Sequence, residues 1–467
     1  MLNLVLKPHR TALRSGSAEP QKVFVMLKLI PQQEVAQARP PLALALVVDT
    51  SGSMREFSDQ ERARREAQAS GARQERLSSD GESAVGVSLK LPTKLDQAIE
   101  AAHRLIDDAR LEPDDRITLI HFDDRAETLV PLTPVSDRQR LHEAVDSLRK
   151  FSGGTHMGKG MRRAEEQLTA LPAEVAKRAV LLTDGKAFDD EECRALAPRF
   201  AAANIPIIAI GIGEEYNDDL MRDLSEATQG RPYHLQQMEQ LAQILDAEVG
   251  TSVKEVVTDL QASVAAVRGV TLDSFTRVYP SLSEVTLAEQ PYRLGNIAAG
   301  DYTVFVLELT VSGVERPPSR ARLARLGLAG HVPGLGRRDE LPPQDLFLEF
   351  TTDEAAIAAV DPEVLGYVQQ KNVDRLVQDA VRVATVDAAR ARQTLQVARS
   401  MTQKLGNAGM TQMLDNALNE LNQSGTISAN TRRTVALGGR TQTMKAGATA
   451  QAEGIPSEEE IRRLTGA

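Results

Sequence analysis

Residues 42–53 read Leu-Ala-Leu-Ala-Leu-Val-Val-Asp-Thr-Ser-Gly-Ser. Seven apolar residues stand between a pair of prolines and a polar loop, as expected for a strand that is buried on both faces of a parallel sheet. Asp49, Ser51 and Ser53 follow this strand directly, at its carboxyl end. In open α/β sheets the ligand site lies at the carboxyl ends of the strands. The segment therefore predicts a buried parallel strand with a polar site at its end.

Short apolar segments of the same kind recur later in the chain, at 117–122, 179–183 and 205–212. Helical patterns alternate with them, at 94–109, 138–150, 158–171 and 191–203. Alternation of strand and helix is typical of a parallel sheet with helices on both faces. We therefore expect a Rossmann-like, doubly wound, mostly parallel α/β fold over residues 41–249.

An unusually long segment separates the first of these strands from the helix predicted at residue 94. Such connections usually hold about two to six residues, so residues 55–92 are interpreted as an insertion. Residues 60–77 are charged and helix-prone, whereas residues 78–88 are rich in serine and glycine. The insertion lies beside the strand end that carries the polar site, where it is either a lid that selects the ligand or a disordered bulge.

The two ends of the chain show a different, period-two pattern of apolar residues. Residues 250–352 alternate over several short segments, which is typical of antiparallel strands. The first 40 residues, 1–40, carry two more such segments. We expect an additional antiparallel β-sandwich over 250–352, completed by the N-terminal strands.

The C-terminal part changes character again. Residues 353–424 are rich in Ala, Leu, Gln and Arg with helical spacing, and predict a helical region of two or three helices. Residues 425–467 contain many Thr, Gly and Arg residues and few large apolar ones. This composition predicts a flexible tail.

Three separate loops carry oxygen-bearing side chains. The first holds Asp49, Ser51 and Ser53, the second ends in Thr155, and the third holds Asp184. Mg²⁺ prefers octahedral oxygen ligands and retains several waters, so hydroxyl groups with one or two carboxylates suit it; Mn²⁺ and Ca²⁺ are alternatives. Each loop taken alone is also explained as a helix cap or a turn.

Taken together, Asp49-x-Ser51-x-Ser53, Gly-Gly-Thr155 and Thr-Asp184-Gly closely resemble the metal-ion-dependent adhesion site of von Willebrand factor A (VWA) domains. The resemblance spans about 205 residues, from Leu42 to Glu248. It implies that Ser51, Ser53 and Thr155 bind Mg²⁺ directly, and that Asp49 and Asp184 bind it mainly through water. An Asp or Glu side chain of a partner protein would complete the coordination. The insertion departs from the family pattern, in which the first helix follows the serine loop directly.

Composition narrows the class of protein. The net charge of −10 and the absence of Trp argue against nucleic-acid binding. No apolar run is long enough for a membrane span, and the N-terminus lacks the pattern of a signal peptide. Cys193 is the single cysteine, which fits a reducing compartment, so we expect a cytoplasmic location. With the resemblance, these features favour a Mg²⁺-dependent adapter in bacterial signalling or stress response, and not an enzyme.

Threonines stand beside arginines in the predicted tail. Thr431, Thr434, Thr441 and Thr443 are candidate phosphorylation sites. A phosphate there would create a ligand for an arginine-lined reader. Partners of this kind would be a Ser/Thr kinase, a phosphatase and a forkhead-associated protein. The alternative is a solvated linker without regulation.

Two other functions are compatible with the sequence. The chain is also interpretable as an accessory VWA subunit of an AAA+ ATPase of the MoxR or chelatase type. A Mg²⁺-dependent phosphotransferase would use Asp49 as its nucleophile, but no lysine is evidently placed for phosphoryl transfer. Residues 153–160 nearly spell a phosphate-binding loop, but Gly160 replaces the required hydroxyl and a helix pattern precedes the loop.

Overall fold

The computed structural model describes residues 2–32, 39–70, 74–79, 82–87, 91–213, 215–235, 237–312, 320–441 and 443–446. The chain begins with three strands of the sandwich: β1 (Leu2–Pro8), β2 (Ala12–Arg14) and β3 (Gln21–Pro31). It then forms the complete α/β unit before it returns to the sandwich and ends in helices.

The α/β unit is built on one six-stranded sheet. Its elements are β4 (Leu42–Asp49), α1 (Gln60–Ser70), β5 (Gln74–Ser79), β6 (Glu82–Val87), α2 (Lys94–Ile106), β7 (Arg116–Phe122), β8 (Ala126–Pro134), α3 (Arg138–Ser147), α4 (Met157–Leu168), β9 (Ala176–Thr183), α5 (Asp190–Ala202), β10 (Ile207–Ile212), α6 (Asp218–Ala227), β11 (Arg231–Leu235) and α7 (Gln240–Ser252).

The strand order of this sheet is β11-β10-β9-β4-β7-β8. All neighbours are parallel except β8, which pairs antiparallel with β7 at the edge. All eight residues of β4 are buried, because helices cover both faces of the sheet. The predicted doubly wound, mostly parallel α/β fold is confirmed. The edge strand β8 was not among the predicted strands.

The insertion is a helix followed by a two-stranded hairpin, β5–β6. The helix predicted over 60–77 is correct for residues 60–70, but residues 74–79 form a strand. At the base of the insertion, the Ser58 amide donates to the Pro92 carbonyl (3.1 Å) and the Lys94 amide donates to the Glu56 carbonyl (2.9 Å). These two hydrogen bonds form the neck of the insertion. They hold the start of α2 beside the loop that follows β4.

The second part of the sandwich contains β12 (Glu255–Ala266), β13 (Val270–Tyr279), β14 (Ser283–Glu284), β15 (Tyr292–Ala298), β16 (Thr303–Val311), β17 (Arg320–Val332) and β18 (Arg337–Thr351). One sheet has the order β1-β3-β16-β13-β14 and the other β15-β12-β17-β18-β2. All pairs are antiparallel except β18–β2. Alternate residues of β3, such as Val25 and Leu27, point into the core between the sheets.

The C-terminal region is helical, with α8 (Glu354–Ala358), α9 (Pro362–Val383), α10 (Ala388–Leu405), α11 (Ala408–Ser424) and α12 (Ala429–Thr441). Helices α9 to α12 share an apolar core. The first turns of α9 also pack on the outer face of the sandwich, where Val364 and Tyr367 meet Met26 and Val304. None of the described helices is long and apolar enough to cross a membrane.

The prediction of a flexible tail over 425–467 is wrong for residues 429–441. These residues form α12, because Val435 and Leu437 are buried among the other C-terminal helices. Few apolar residues suffice, since the neighbouring helices supply the rest of the core. Residues 447–467, which belong to the same prediction, lie outside the described residues.

The four candidate phosphorylation sites therefore lie in or beside a helix. Thr431, Thr434 and Thr441 belong to α12, and the Thr434 hydroxyl donates to the Asn430 carbonyl (2.9 Å). The Thr443 hydroxyl donates to the Pro280 carbonyl (2.6 Å). Phosphorylation of these residues stays a prediction.

Candidate metal centre

The candidate ligands come from loops at one edge of the α/β sheet. Asp49 ends the central strand β4, Asp184 follows β9, and Thr155 lies in the loop before α4. From β4 the chain proceeds first to β7 on one side and later to β9 on the other, so the strand order reverses at β4. A crevice at such a reversal is the usual binding place in open α/β sheets.

Asp49 is fully buried and holds the first loop in place. Its Oδ1 accepts a hydrogen bond from the Ser51 amide (2.8 Å), and its Oδ2 accepts one from the Thr183 hydroxyl (2.6 Å). Burial, together with the nearby charge of Asp184, raises the pKa of Asp49 to about 7 despite these hydrogen bonds. A cation beside Asp49 would stabilise its charged form.

Ser53 joins the first loop to the third. Its hydroxyl donates to Asp184 Oδ1 (2.7 Å) and lies 3.1 Å from the Ser51 hydroxyl oxygen. Asp184 is buried, and its carboxylate thus reaches the serine loop directly. Together with the hydrogen bond from the Ser51 amide to Asp49, these contacts connect four of the five predicted ligands.

The second loop is tied to the first through the backbone. The Gly52 amide donates to the Gly153 carbonyl (3.0 Å). Thr155 Oγ1 lies 3.3 Å, and Ser53 Oγ 3.8 Å, from the position that a Cβ atom would occupy on Gly185. Both hydroxyl groups therefore border the same small space, which the absence of a side chain at position 185 leaves open.

Lys94 is a neighbour of this site that the sequence interpretation missed. Its ammonium nitrogen lies 2.8 Å from Asp184 Oδ2 and 2.9 Å from Glu56 Oε2. Burial by itself lowers the pKa of Lys94, but the two carboxylates outweigh it, so the pKa lies above its usual value. In the sequence, Lys94 is recognisable only as the first residue of the helix that follows the insertion. The hydrogen bonds at the base of the insertion bring that helix back to the site.

Asp123 and Asp124 are also close to the second loop and were not predicted as site residues. The Asp123 carbonyl accepts the amide of His156, and the Asp124 carbonyl accepts the Lys159 ammonium (2.7 Å). They position the loop that carries Thr155. Their place directly after β7, at a strand's carboxyl end, was the signal that could have identified them.

The side chains present fit a hard divalent cation. Three hydroxyls and two carboxylates converge, and all their donor atoms are oxygens, as Mg²⁺ requires. Within the described part of the chain, no cluster of three or more His, Cys, Asp or Glu residues could hold a metal.

The sequence profile of the von Willebrand factor type A domain matches residues 88–247. The α/β unit therefore has the fold of a von Willebrand factor type A (VWA) domain. The match begins near the end of the insertion, so it includes Thr155 and Asp184 and excludes the serine loop. The fold brings that loop beside them. VWA domains commonly bind a divalent metal at their adhesion site and typically mediate protein–protein interactions.

Two solved structures superimpose on nearly the whole length of this chain. A von Willebrand factor type A protein from Catenulispora acidiphila superimposes with a TM-score of 0.75 at 17% identity, over 95% of this chain and 98% of that one. The ArnB paralog VWA2 from Sulfolobus acidocaldarius superimposes with a TM-score of 0.59 at 15% identity, over 95% and 99% of the two chains. These similarities show the fold.

One curated relative is an uncharacterized protein of Synechocystis sp. It is 26% identical over 230 residues, which are 46% of this chain and 53% of that protein. The match thus spans about half the length of the relative, and it includes part of this chain only.

Proposed function

We propose that the VWA domain is a Mg²⁺-dependent adapter that captures an Asp or Glu side chain of a partner protein. Ser51, Ser53 and Thr155 would bind the ion directly, and Asp49 and Asp184 mainly through water. The observation that carries the proposal is the convergence of these side chains from three loops around one open space. An ion with few direct anionic ligands stays electrophilic, and so favours an incoming carboxylate.

The rim of the site offers a second contact for a partner. Phe188 is 74% exposed, which is unusual for a large apolar side chain. Its amide donates to the Thr155 carbonyl (2.9 Å), so the ring is anchored beside a candidate ligand. Exposed aromatic residues often dominate the affinity of interfaces. We propose that the partner presents an apolar side chain next to its carboxylate.

The burial and hydrogen bonds of Asp49 fit a role in metal binding better than a role as the nucleophile of a phosphotransferase. Both carboxylate oxygens of Asp49 accept hydrogen bonds, and the side chain is fully buried. A phosphoryl acceptor needs an oxygen that is accessible to the donor. Lys94 supplies the cation that the phosphotransferase hypothesis lacked, but it contacts Asp184 and Glu56. We therefore propose a binding protein and not an enzyme.

The proposed context is a cytoplasmic signalling or stress-response assembly in bacteria, with a Ser/Thr kinase, a phosphatase or a forkhead-associated protein as partners. Its support is that α12, which carries Thr431 and Thr434, contacts the VWA domain. Asn430 Oδ1 accepts a hydrogen bond from His234 Nε2 (2.8 Å), and Arg433 donates to the Tyr216 carbonyl (3.2 Å). A phosphate on α12 would therefore act at a contact between the helical region and the VWA domain.

Thr155→Ala is expected to weaken Mg²⁺ binding about tenfold, because it removes one direct oxygen ligand. Calorimetric titration of the metal-free full chain measures this. Thr133→Ala is the matched control: Thr133 is also buried, but it lies at the opposite end of the sheet, where its hydroxyl donates to the Pro131 carbonyl. The control should keep the affinity of the wild type.

The amount of partner protein captured is then measured for the wild type in Mg²⁺ and in EDTA, and for Thr155→Ala and Thr133→Ala in Mg²⁺. Proteins recovered only by the wild type and the Thr133→Ala control in Mg²⁺ would support the adapter mechanism. Equal recovery under all conditions would remove it, and an unchanged Mg²⁺ affinity in Thr155→Ala would remove the assignment of the ligands.

Lys94→Met is expected to tighten Mg²⁺ binding about tenfold. The ammonium group lies 2.8 Å from Asp184, so it repels an incoming cation and competes for the same carboxylate. Methionine keeps most of the side-chain length and removes the charge. Lys22→Met is the matched control, because the Lys22 ammonium also pairs with two carboxylates, those of Asp273 (3.2 Å) and Glu308 (2.5 Å), but these belong to the sandwich. Weaker Mg²⁺ binding in Lys94→Met would show that the lysine supports the site.

A further inference from the structure

A small cavity of about 70 Å³ lies between the VWA domain and the sandwich, far from the candidate metal centre. It opens where β9, β10 and β11 begin, at the edge of the sheet opposite to Asp49. Three arginines line it, one from the VWA strand β9, one from β11 and one from the sandwich strand β13: Arg178, Arg231 and Arg277.

Two carboxylates balance two of these arginines. Arg178 pairs with Glu255, and Arg231 lies 3.1 Å from Glu248. Both glutamates are buried, at 2% and 5% exposure. These two pairs are therefore electrically neutral units in the wall of the cavity.

Arg277 has no such partner. Its guanidinium donates to two uncharged backbone carbonyls, those of Ser281 (3.2 Å) and Gln229 (3.3 Å). Among the described residues no carboxylate lies within 4 Å of it, although its exposure is only 7%. Asp301 also lines the cavity, but its carboxylate is already paired with Lys445 (2.8 Å).

The unpaired positive charge of Arg277 is energetically unfavourable in this buried position. Burial, together with the positive charges of Arg231 and Arg178, lowers the pKa of Arg277 to about 9 despite the opposing charges of Glu248 and Glu255. Burying an unpaired charge costs several kcal/mol unless a counter-charge accompanies it. In Arg178, which also lines the cavity, the Nε atom is buried and donates to no atom of the described residues.

We propose that this cavity binds a small monovalent anion, with chloride as the representative, between the three arginines. One anion would neutralise the single surplus charge and accept the free donor of Arg178. The volume is several times the roughly 10–15 Å³ that one water needs, so a monatomic anion with a few waters fits. Because the arginines belong to both the VWA domain and the sandwich, the anion would hold these two parts together.

Thermal unfolding of the full chain tests this in sodium gluconate, with chloride or bromide replacing gluconate at constant ionic strength. A ligand that binds only the folded state should raise the Tm saturably, by about 1–3 °C. In Arg277→Met the surplus charge is absent, so the halide-dependent rise should disappear. Arg325→Met is the matched control, since Arg325 is an exposed partner of Asp345 on the sandwich, and it should keep the rise.

A second measurement does not depend on the variant folding. Crystals soaked in bromide should give an anomalous peak inside the cavity. Bromide found only at the surface, or an equal response of the wild type and Arg277→Met to halide, would overturn the proposal.

Discussion

Asp49→Asn is expected to weaken Mg²⁺ binding by about 100-fold, which is about 2.7 kcal/mol, while the metal-free protein stays at least as stable as the wild type. The buried Asp49 shares its surroundings with the charge of Asp184, so the metal-free site holds two carboxylates without a resident divalent ion. Removal of one charge relieves that repulsion. The same removal takes away half of the anionic charge that attracts the ion.

Asparagine can replace the hydrogen bonds of the carboxylate. Its carbonyl oxygen can accept the Ser51 amide, and its amide group can donate to the Thr183 hydroxyl, which also lies 3.2 Å from the Gly185 carbonyl. Titration calorimetry and chemical denaturation with EDTA measure the two quantities. A variant that loses several kcal/mol of stability without metal would show that the charge of Asp49 supports the fold, contrary to this expectation.

Gly230→Ala is expected to destabilise the folded chain by more than about 4 kcal/mol, and so to prevent its accumulation as soluble protein. A Cβ atom on residue 230 would lie 1.9 Å from the carbonyl oxygen of Ile207 and 2.6 Å from its carbonyl carbon. Ile207 begins β10, which is hydrogen-bonded to β9 and β11. The backbone cannot yield without breaking the central sheet of the VWA domain.

The control for this substitution is Gly250→Ala. There the added Cβ meets only the guanidinium end of Arg110, a flexible and partly exposed side chain. Gly250 lies inside α7, where alanine is favoured over glycine by about 1 kcal/mol. Gly250→Ala should therefore be neutral or stabilising in thermal unfolding. A Gly230→Ala protein with wild-type Tm would show that the chain turns differently between α6 and β11.

The long regular elements were predictable because their apolar spacing is set by burial. The seven apolar residues before Asp49 required a strand covered on both faces, and β4 has that environment. The alternation in the sandwich strands follows from one face pointing inward. By contrast, β8 was missed because an edge strand with one exposed face, Ala126–Pro134, has a mixed pattern. For α12, the neighbours that bury Val435 are distant in sequence, so the local composition indicated a flexible chain.

Some residues of the candidate metal centre were likewise predictable from the sequence, and others were not. Asp49, Ser51, Ser53, Thr155 and Asp184 were predictable because each stands in a short motif next to a regular element. Lys94 was not, because its position beside Asp184 depends on the neck that closes the insertion. The buried Arg277 was missed for a related reason. Arg277 is surrounded by residues of both the VWA domain and the sandwich. A contact between two such distant parts of the chain produces no pattern in the local sequence.

The pairing of β3 with β16 sets the order of events during biosynthesis. Lys22 and Glu308, which lie on these strands and form an ion pair, are 286 positions apart in the chain. At translation rates of about 5–20 residues per second, the ribosome needs roughly 15–60 s between them. The entire VWA domain is synthesised in that interval and is free to fold first. The nascent β1–β3 pair meanwhile has an unpaired edge on β3, which is open to pairing with other chains until β16 emerges.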